Sequence, residues 1–267
     1  MPCTVARLYR YPVKALNGEP LTTVDLKLGH GIAFDRAFGL ALPTTQYEPA
    51  RQHWLSKNNF VTLVQHERLA ALEARFDPAS GTLAVHRGGK QVVRGSLRTP
   101  LGRAMIEEFF RAYLKHEVAG PMRLIGAADA GDPSAFRDSE QAEVSLIGLA
   151  TIADLERVVG QPVDPLRFRA NIYVDGIPAW SEFDWVGREI SLGGDSAGAR
   201  IRITERIARC AATNVEPGTG IRNMTLPQTL KRVFGHADCG VYAIVTVGGH
   251  VALGDAVSPG DALAGGS

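Results

Sequence analysis

Residues 202–223 read RITERIARCAATNVEPGTGIRN, a stretch that sets a cysteine at the end of an apolar-alternating run. Alternation of this kind predicts a β-strand, and the Gly/Pro-rich segment NVEPGTG that follows predicts a turn. Arg206 and Arg209 stand just before Cys210, and neighbouring cations favour the thiolate over the thiol. A thiolate at a strand–loop junction is either a nucleophile or a ligand for a soft metal. A buried cysteine with a purely structural role is the alternative.

The composition of the whole chain excludes several protein classes. With 267 residues, 45% of them hydrophobic, it can form one large domain or two smaller ones around a substantial core. Its formal net charge of +1 gives no overall attraction for nucleic acid or anionic lipid. The sequence shows neither an 18-residue apolar stretch nor the apolar core of a secretory signal. We therefore expect a soluble cytoplasmic protein that binds neither membrane nor nucleic acid.

The common metal and nucleotide motifs are missing from the sequence. Cys3, Cys210 and Cys239 are widely scattered and form no CxxC pair, which argues against a disulfide framework, a zinc knuckle or an iron–sulfur site. The seven histidines form no HxH or HxxxH pair, which weakens a zinc or non-haem iron interpretation. Neither a P-loop nor a GxGxxG segment stands at a strand–helix junction.

Short β-like runs separated by turn signals dominate the chain. In the first hundred residues they are VARLYRY (5–11), TTVDLKL (22–28), AFGLAL (37–42), FVTLV (60–64), LAALEARF (69–76) and TLAVHR (82–87). In the second half they are REISLG (188–193), ARIRITERI (199–207), CGVYAIVTV (239–247) and HVALGDAV (250–257). Strands of this size and spacing indicate a barrel or a sandwich. We therefore predict a mainly β chain with a few helices, of the α+β class.

Three segments have the apolar spacing of amphipathic helices. They are TPLGRAMIEEFFRAYLKH (99–116), LIGLATIADLERVVG (146–160) and LPQTLKRVFG (226–235). The polar, Gly/Asp/Ser-rich segment 127–143 predicts a long surface loop, either functional or disordered.

Several basic residues stand among apolar or aromatic neighbours instead of in a solvated charge run. Lys14 follows a predicted strand, Arg36 lies in FDRAF, and Arg167 and Arg169 lie in LRFRAN. An arginine in such a setting often binds a planar anion, phosphate or carboxylate, through its forked donors. Structural salt bridges are the alternative.

Two sets of motifs resemble a known family. YPVKALNG (11–18), GIAFDRAFGLAL (31–42) and PARQ (49–52) resemble the N-terminal β-barrel domain that accompanies MOSC domains. LRFRANIYVDG (166–176), RCAATNVEPGTG (209–220) and GHADCGVYAIVTVGGHVALGDAV (235–257) resemble the MOSC domain itself, which is named for the C-terminal region of molybdenum cofactor sulfurase. The resemblance implies an N-terminal β-barrel domain at 1–118, packed on a barrel-like MOSC domain at 119–267. The layout is similar to that of amidoxime-reducing molybdenum proteins.

The resemblance implies a molybdenum cofactor, a pterin whose dithiolene sulfurs hold the metal and which carries a terminal phosphate. Cys210 matches the family cysteine that supplies a protein thiolate to molybdenum, and we expect it to be both metal ligand and catalytic residue. Lys14 and Arg36 are expected to hold the pterin or the phosphate. Arg51 matches a further arginine in or beside the cofactor pocket.

Four more residues are implied in the same way. Arg169 and Asn171 match the FRxN pattern and are expected at the pterin and near molybdenum, with Asn171 a candidate for orienting substrate or relaying protons. Thr213 lies on the loop after the metal ligand, and Tyr242 matches a family tyrosine. Ala15 departs from the family pattern, because many relatives have a serine there. Segment 144–155 lacks the polar residues typical of relatives, leaving Thr151 as the candidate hydroxyl.

The function implied is a molybdenum-dependent oxidoreductase that reduces N-hydroxylated or N-oxygenated small molecules. Because three scattered cysteines cannot hold an iron–sulfur cluster, we expect an external electron donor: a ferredoxin, a flavin reductase or a cytochrome b5-like protein. A carrier of the cofactor, or of sulfur as a persulfide on Cys210, is the alternative.

Overall fold

The fold is mainly β with three α-helices in the ranges that the computed structural model describes, residues 2–48, 54–126, 136–140, 143–194 and 198–262. The first strands are β1 (Thr4–Arg10), β2 (Glu19–Leu21), β3 (Thr23–Lys27), β4 (Gly31–Ile32), β5 (Phe38–Ala41), β6 (Leu72–Asp77), β7 (Thr82–Arg87), β8 (Lys90–Ser96) and β9 (Arg123–Gly126). The later strands are β10 (Val144–Gly148), β11 (Ile172–Asp175), β12 (Arg188–Leu192), β13 (Ala199–Ala208), β14 (Asp238–Val247), β15 (Gly249–Ala252) and β16 (Val257–Ala262). The helices are α1 (Pro100–Tyr113), α2 (Leu149–Val159) and α3 (Leu226–Phe234). The predicted mainly β class is confirmed.

An eight-stranded sheet dominates the second half of the chain, in the order β16-β12-β13-β14-β10-β11-β1-β2. Its neighbouring strands pair antiparallel except β10 and β11, which are parallel. Alternation places one face inward, so that Ile201 and Ile203 of β13 are fully buried while Arg200 before them and Thr204 after them are exposed. The small sheet β15-β3-β4 covers the same core, which gives this half its barrel-like form.

The first half of the chain has its own apolar core. It is formed by the two-stranded sheet of β5 and β9, the three-stranded sheet β6-β7-β8 and helix α1. The side chain of Thr99 caps α1 by accepting from the Gly102 N–H, and Ile106 and Phe110 on its inner face are fully buried. However, β1 and β2 belong to the eight-stranded sheet, and β3 pairs with β15. The two domains predicted at 1–118 and 119–267 therefore share strands.

Several predicted elements are wrong in part. The run at 69–76 becomes a strand only from Leu72, and the run at 250–257 is divided between β15 and β16. The run at 60–64 forms no strand, since it makes only one isolated bridge, from Phe60 to Ala41. The helix predicted from residue 146 begins at Leu149, because Val144–Gly148 forms the buried strand β10. A short apolar run has no periodicity that separates a buried strand from a helix, so pairing with β11 and β14 decides its form.

The helices of the described ranges offer no candidate for crossing a bilayer, since none is both long and apolar enough. The predicted cytoplasmic location stays a prediction.

Candidate functional site

A cleft of about 620 Å³ lies where the two halves of the chain meet. Four of the stretches that line it, among the described residues, are 14–15, 54–65, 138–140 and 167–169. Strand β13 and the loop after it contribute residues from 205–213, and β14 contributes Tyr242. Six cationic and three acidic side chains are among them: Lys14, Lys57, Arg167, Arg169, Arg206 and Arg209 with Asp138, Glu140 and Glu205. The cleft therefore favours an anionic ligand.

Cys210 is exposed and lines this cleft at the end of β13. The pairing of β13 with β14 shifts register twice just before it, between Ile203 and Glu205 and between Arg206 and Ala208. Such bulges bend a strand and often re-aim a side chain next to an active site. A 3-10 turn, Ala211–Asn214, follows directly. The strand end therefore presents the thiol to the cleft.

Two arginines of the cleft donate hydrogen bonds to backbone carbonyl oxygens near Cys210 and on the strand and turn that pack beside it. Arg167, fully buried, donates to the carbonyl oxygens of Thr213 (3.4 Å) and Asn214 (3.1 Å) in the turn after the cysteine. Arg209 donates to the carbonyl oxygens of Cys239 (2.7 Å) and Phe168 (2.8 Å). The Arg167 Nε and the Arg209 Nη2 are buried and have no hydrogen-bond partner among the described residues. Two cations with unused donors thus line the cleft together with the cysteine.

A glycine makes room for the second of these guanidinium groups. Gly240 has a φ of 76°, and a Cβ there would lie 2.7 Å from the Leu146 carbonyl oxygen and 3.1 Å from the Arg209 Nη2. Any side chain at position 240 would therefore displace Arg209 or β10.

A second cationic group lies at the side of the cleft. The Asp138 carboxylate accepts from Lys14 Nζ at 2.6 Å and from Arg36 Nε at 3.2 Å. Lys14 also donates to the Phe136 carbonyl oxygen at 3.0 Å, and Arg36 donates to Asp35 at 2.5 Å. Lys14 and Arg36 are 5% and 6% exposed, so two cations are buried against two carboxylates.

An aromatic ring joins Arg36 to Arg169. Both guanidinium groups lie against the ring of Tyr11, at 4.7 Å for Arg36 and 4.5 Å for Arg169. Arg36 also donates to the Arg169 carbonyl oxygen at 3.0 Å, and Arg169 donates to the Leu16 carbonyl oxygen. Because Tyr11 is itself buried and donates to the Ala170 carbonyl oxygen, it fixes both arginines.

The charges of this group perturb one another. Burial alone would raise the pKa of Asp138, but the charges of Lys14 and Arg36 outweigh burial and hold that pKa well below its usual range. Burial alone would lower the pKa of Arg36, but Asp35 and Asp138 outweigh burial and raise it. For Arg169, burial and the charge of Arg36 lower the pKa. Nearby carboxylates thus compensate the charge of Arg169 less than that of Arg36.

Unusual backbone conformations mark the same place. Ala15, Arg36 and Arg169 have φ values of 69°, 51° and 52°, a left-handed region that non-glycine residues rarely adopt. Three such residues around one cluster are a recognised sign of a functional site, where packing holds strained backbone in place.

The structure brings together five of the eight residues predicted for the site. Lys14, Arg169, Cys210, Thr213 and Tyr242 all line the cleft. Arg36 does not line it but reaches Asp138 at its edge. Arg51 lies outside the described residues.

Asn171 is the exception, because it does not line the cleft; its predicted position near the metal stays a prediction. It is 2% exposed and lines an adjoining cavity of about 20 Å³, which shares Asp138, Ser139 and Tyr242 with the cleft. Its Oδ1 accepts from the Ser145 N–H, the Ser145 hydroxyl and Arg36, and its Nδ2 donates to the Tyr9 carbonyl oxygen. The Asn171 amide therefore helps to hold Arg36 in place and is not free to bind a substrate.

Two predicted threonine hydroxyl groups also form their hydrogen bonds within the protein. Thr213 lines the cleft, but its hydroxyl donates to the Cys210 carbonyl oxygen at 3.0 Å. Thr151, the candidate hydroxyl of α2, is fully buried, donates to Glu182 at 2.7 Å and accepts from the Trp180 N–H. Thr213 thus orients the cysteine, and Thr151 lies away from the cleft.

Asp138 lines the cleft, and the sequence motifs did not indicate it. It stands in the polar segment taken as a surface loop, of which residues 127–135 and 141–142 lie outside the described residues. The aromatic residue two positions earlier is the signal that was available: Phe136 is fully buried against Phe60, with ring centroids 4.9 Å apart. A lone aromatic in a polar stretch indicates an anchor point.

We predict that the three cysteines react with thiol reagents in a fixed order. Cys210 is exposed, whereas burial, aided by Asp175, raises the pKa of Cys3 to about 11, and burial raises that of Cys239 to about 12. A thiol with a pKa of about 11 is only about one-thousandth thiolate at pH 8. In cofactor-free protein, a chromogenic disulfide reagent should therefore label one cysteine rapidly. Cys210→Ser should remove this fast phase and Cys239→Ser should keep it; fast labelling in Cys210→Ser would contradict the prediction.

Family profiles match nearly the whole chain. The MOSC N-terminal beta barrel domain matches residues 2–117, and the MOSC domain matches residues 133–258. The chain is 24% identical over 300 residues to mitochondrial amidoxime-reducing component 1 of Homo sapiens, covering 95% of this chain and 82% of that protein. It is 23% identical over 269 residues to the Xenopus laevis protein of the same name, covering 88% and 72%.

Among solved structures, the YUAD protein from Bacillus subtilis is similar at 13% identity and a TM-score of 0.46, covering 96% of this chain and 94% of that one. The two family domains follow one another in this chain in the order that the sequence motifs indicated, and the chain belongs to the MOSC domain family.

Proposed function

We propose that this chain binds a molybdenum cofactor in the cleft and reduces N-hydroxylated or N-oxygenated compounds. The observation that carries the proposal is the meeting of an exposed thiol, Cys210, with Lys14 and Arg169 in one cleft. The names of the two relatives support the reaction, since an amidoxime contains an N–O bond.

The residues present fit such a cofactor. A volume of about 620 Å³ lies in the range of cofactor pockets, ~300–1,000 Å³. The Arg167 Nε and the Arg209 Nη2 are buried without a partner in the part of the chain that the structure describes, as expected where a polar ligand is to bind. Asp138 already sets an anion between Lys14 and Arg36, where a phosphate would be held. The pterin dithiolene would bring its own sulfurs, so one protein thiolate suffices.

Each residue has a role that its position supports. Cys210 would bind the metal; Lys14, Arg36 and Arg169 would hold the phosphate and the pterin. Tyr242 lines the cleft, and because burial raises its pKa to about 12, its hydroxyl keeps its proton and can donate to a ligand. The bound cofactor would supply two-electron redox chemistry. Two electrons and two protons convert an N-hydroxyl group to N–H and water, and the electrons would come from an external donor protein such as a ferredoxin, a flavin reductase or a cytochrome b5-like protein.

The test is metal and pterin analysis of protein made in a host that synthesises the cofactor. We expect molybdenum and pterin in equimolar amounts with the chain, and reduction of benzamidoxime by dithionite-reduced viologen. Stoichiometric cofactor without turnover of N-hydroxylated compounds would contradict the reductase and leave a cofactor carrier. A cyanide-labile sulfur on Cys210 in protein without molybdenum would indicate a sulfur carrier instead.

A further inference from the structure

The contacts of Asp138 resemble those of a bound ligand more than those of a structural ion pair. Its two oxygens lie 2.6 Å from Lys14 Nζ and 3.2 Å from Arg36 Nε, residues 124 and 102 positions away in the sequence. The two cations are almost fully buried, whereas the Asp138 side chain is 39% exposed. The carboxylate thus closes a cationic site from its solvent side.

The charges around this site explain why it needs an anion. Arg36 is already paired with Asp35, but Asp138 is the carboxylate that contacts Lys14 within the described residues. Arg169 adds a third, poorly compensated cation across the ring of Tyr11. Without Asp138, three cations would face the single carboxylate of Asp35. A buried charge without a partner is costly, so an anion is expected here in every state of the protein.

We propose that Asp138 is an internal stand-in for a phosphate group: it occupies the Lys14–Arg36 site in the ligand-free chain, and a phosphate that binds there displaces its carboxylate. The proposal rests on the proposed function only in naming the cofactor as the natural phosphate-bearing ligand. The site and its present occupant rest on the contacts alone.

Exchange of the two anions requires little movement of the backbone. Phe136 is fully buried, and Trp54 Nε1 donates to the Arg137 carbonyl oxygen at 3.1 Å, so the segment is fixed just before Asp138. The exposed side chain can rotate away while those contacts stay. A phosphate carries more charge and one more acceptor oxygen than a carboxylate, so it can bind Lys14 and Arg36 and still reach toward Arg169.

The experiment measures binding of inorganic phosphate to cofactor-free protein by calorimetry. Asp138→Asn removes the competing charge and should bind phosphate about tenfold more tightly than wild type, equivalent to about 1.4 kcal/mol. Glu140→Gln is the matched control, since Glu140 lines the same cleft, is exposed and lies on the same segment. Glu140→Gln removes one negative charge, as Asp138→Asn does, but leaves the contacts of Asp138 with Lys14 and Arg36 intact. Its affinity for phosphate should therefore stay near that of wild type. Adding Lys14→Met to Asp138→Asn should abolish binding.

Equal or weaker phosphate binding by Asp138→Asn would overturn the proposal, because Asp138 would then be a permanent part of the site. Binding that survives Lys14→Met would also overturn it by placing the phosphate elsewhere, as would an equal gain in Glu140→Gln, since general charge would then explain it. Should Asp138→Asn fold poorly, Asp138→Ser makes the same comparison. The measurement needs neither molybdenum nor turnover, so it succeeds or fails independently of the reductase.

Discussion

Cys210→Ala is expected to lose its molybdenum and to reduce N-hydroxylated substrates at least about a hundredfold more slowly than wild type, since even outer partners of a metal ligand are worth 10–100-fold. Cys210 is the exposed cysteine, and it alone of the described cysteines lines the cationic cleft. Because its side chain is exposed, the cofactor-free variant should unfold at the same urea concentration as cofactor-free wild type. Metal analysis and turnover of protein made with the cofactor, and urea unfolding of cofactor-free protein, check these results.

Cys239→Ala and Cys210→Ser separate the role of the thiolate from that of cysteine in general. Cys239 is fully buried and lies outside the cleft lining, so its replacement should leave molybdenum content unchanged. Serine keeps the shape of Cys210 but replaces a soft ligand by a hard one, and should perturb the metal's spectrum or lose the metal. A Cys210→Ala protein that keeps full molybdenum and its spectrum would refute the assignment of Cys210 as ligand.

Arg36→Met is expected to lower the free energy of unfolding by about 3–5 kcal/mol, the usual cost of breaking a buried ion pair from one side. The side chains of Arg36 and Asp35 are only 7% and 4% exposed. Without Arg36, the one donor left to the Asp35 carboxylate among the described residues is the Tyr11 N–H, at 2.7 Å, and Asp138 and Asn171 each lose a donor. Urea unfolding of cofactor-free protein measures the loss.

The double variant Asp35→Asn/Arg36→Met tests the cause of that loss. If the unpaired Asp35 carboxylate is responsible, neutralising it should recover most of the stability, and the double-mutant cycle should show strong coupling between the two positions. A loss below about 1 kcal/mol in Arg36→Met, typical of exposed pairs, would mean that the pair is not effectively buried. Simple additivity in the double variant would assign the loss to packing.

The local pattern was sufficient for most secondary structure. Alternation predicted β13 and β14, and Thr99-Pro100 followed by apolar residues at helical spacing predicted α1. The pattern failed at Val144–Gly148, where an all-apolar run fits a buried strand as well as a helix. Motifs also indicated several residues that the structure brings to one cleft, because Lys14, Arg169 and Cys210 each stand at a strand or turn boundary with recognisable neighbours.

By itself, the sequence determined which residue types are available: a cysteine after a strand, and basic residues set among apolar neighbours. The tertiary structure alone decided which of them meet. Lys14 reaches Asp138 across 124 residues, and Asn171 turns toward Ser145 and Arg36, away from the cleft. The reason is physical: alternation fixes which face of a strand is buried, but which strands pair, and so which loops become neighbours, is set by packing of the whole chain. A polar segment such as 136–140 has no apolar period to indicate where it docks, and its position follows from Phe136 filling a space that only the folded core contains.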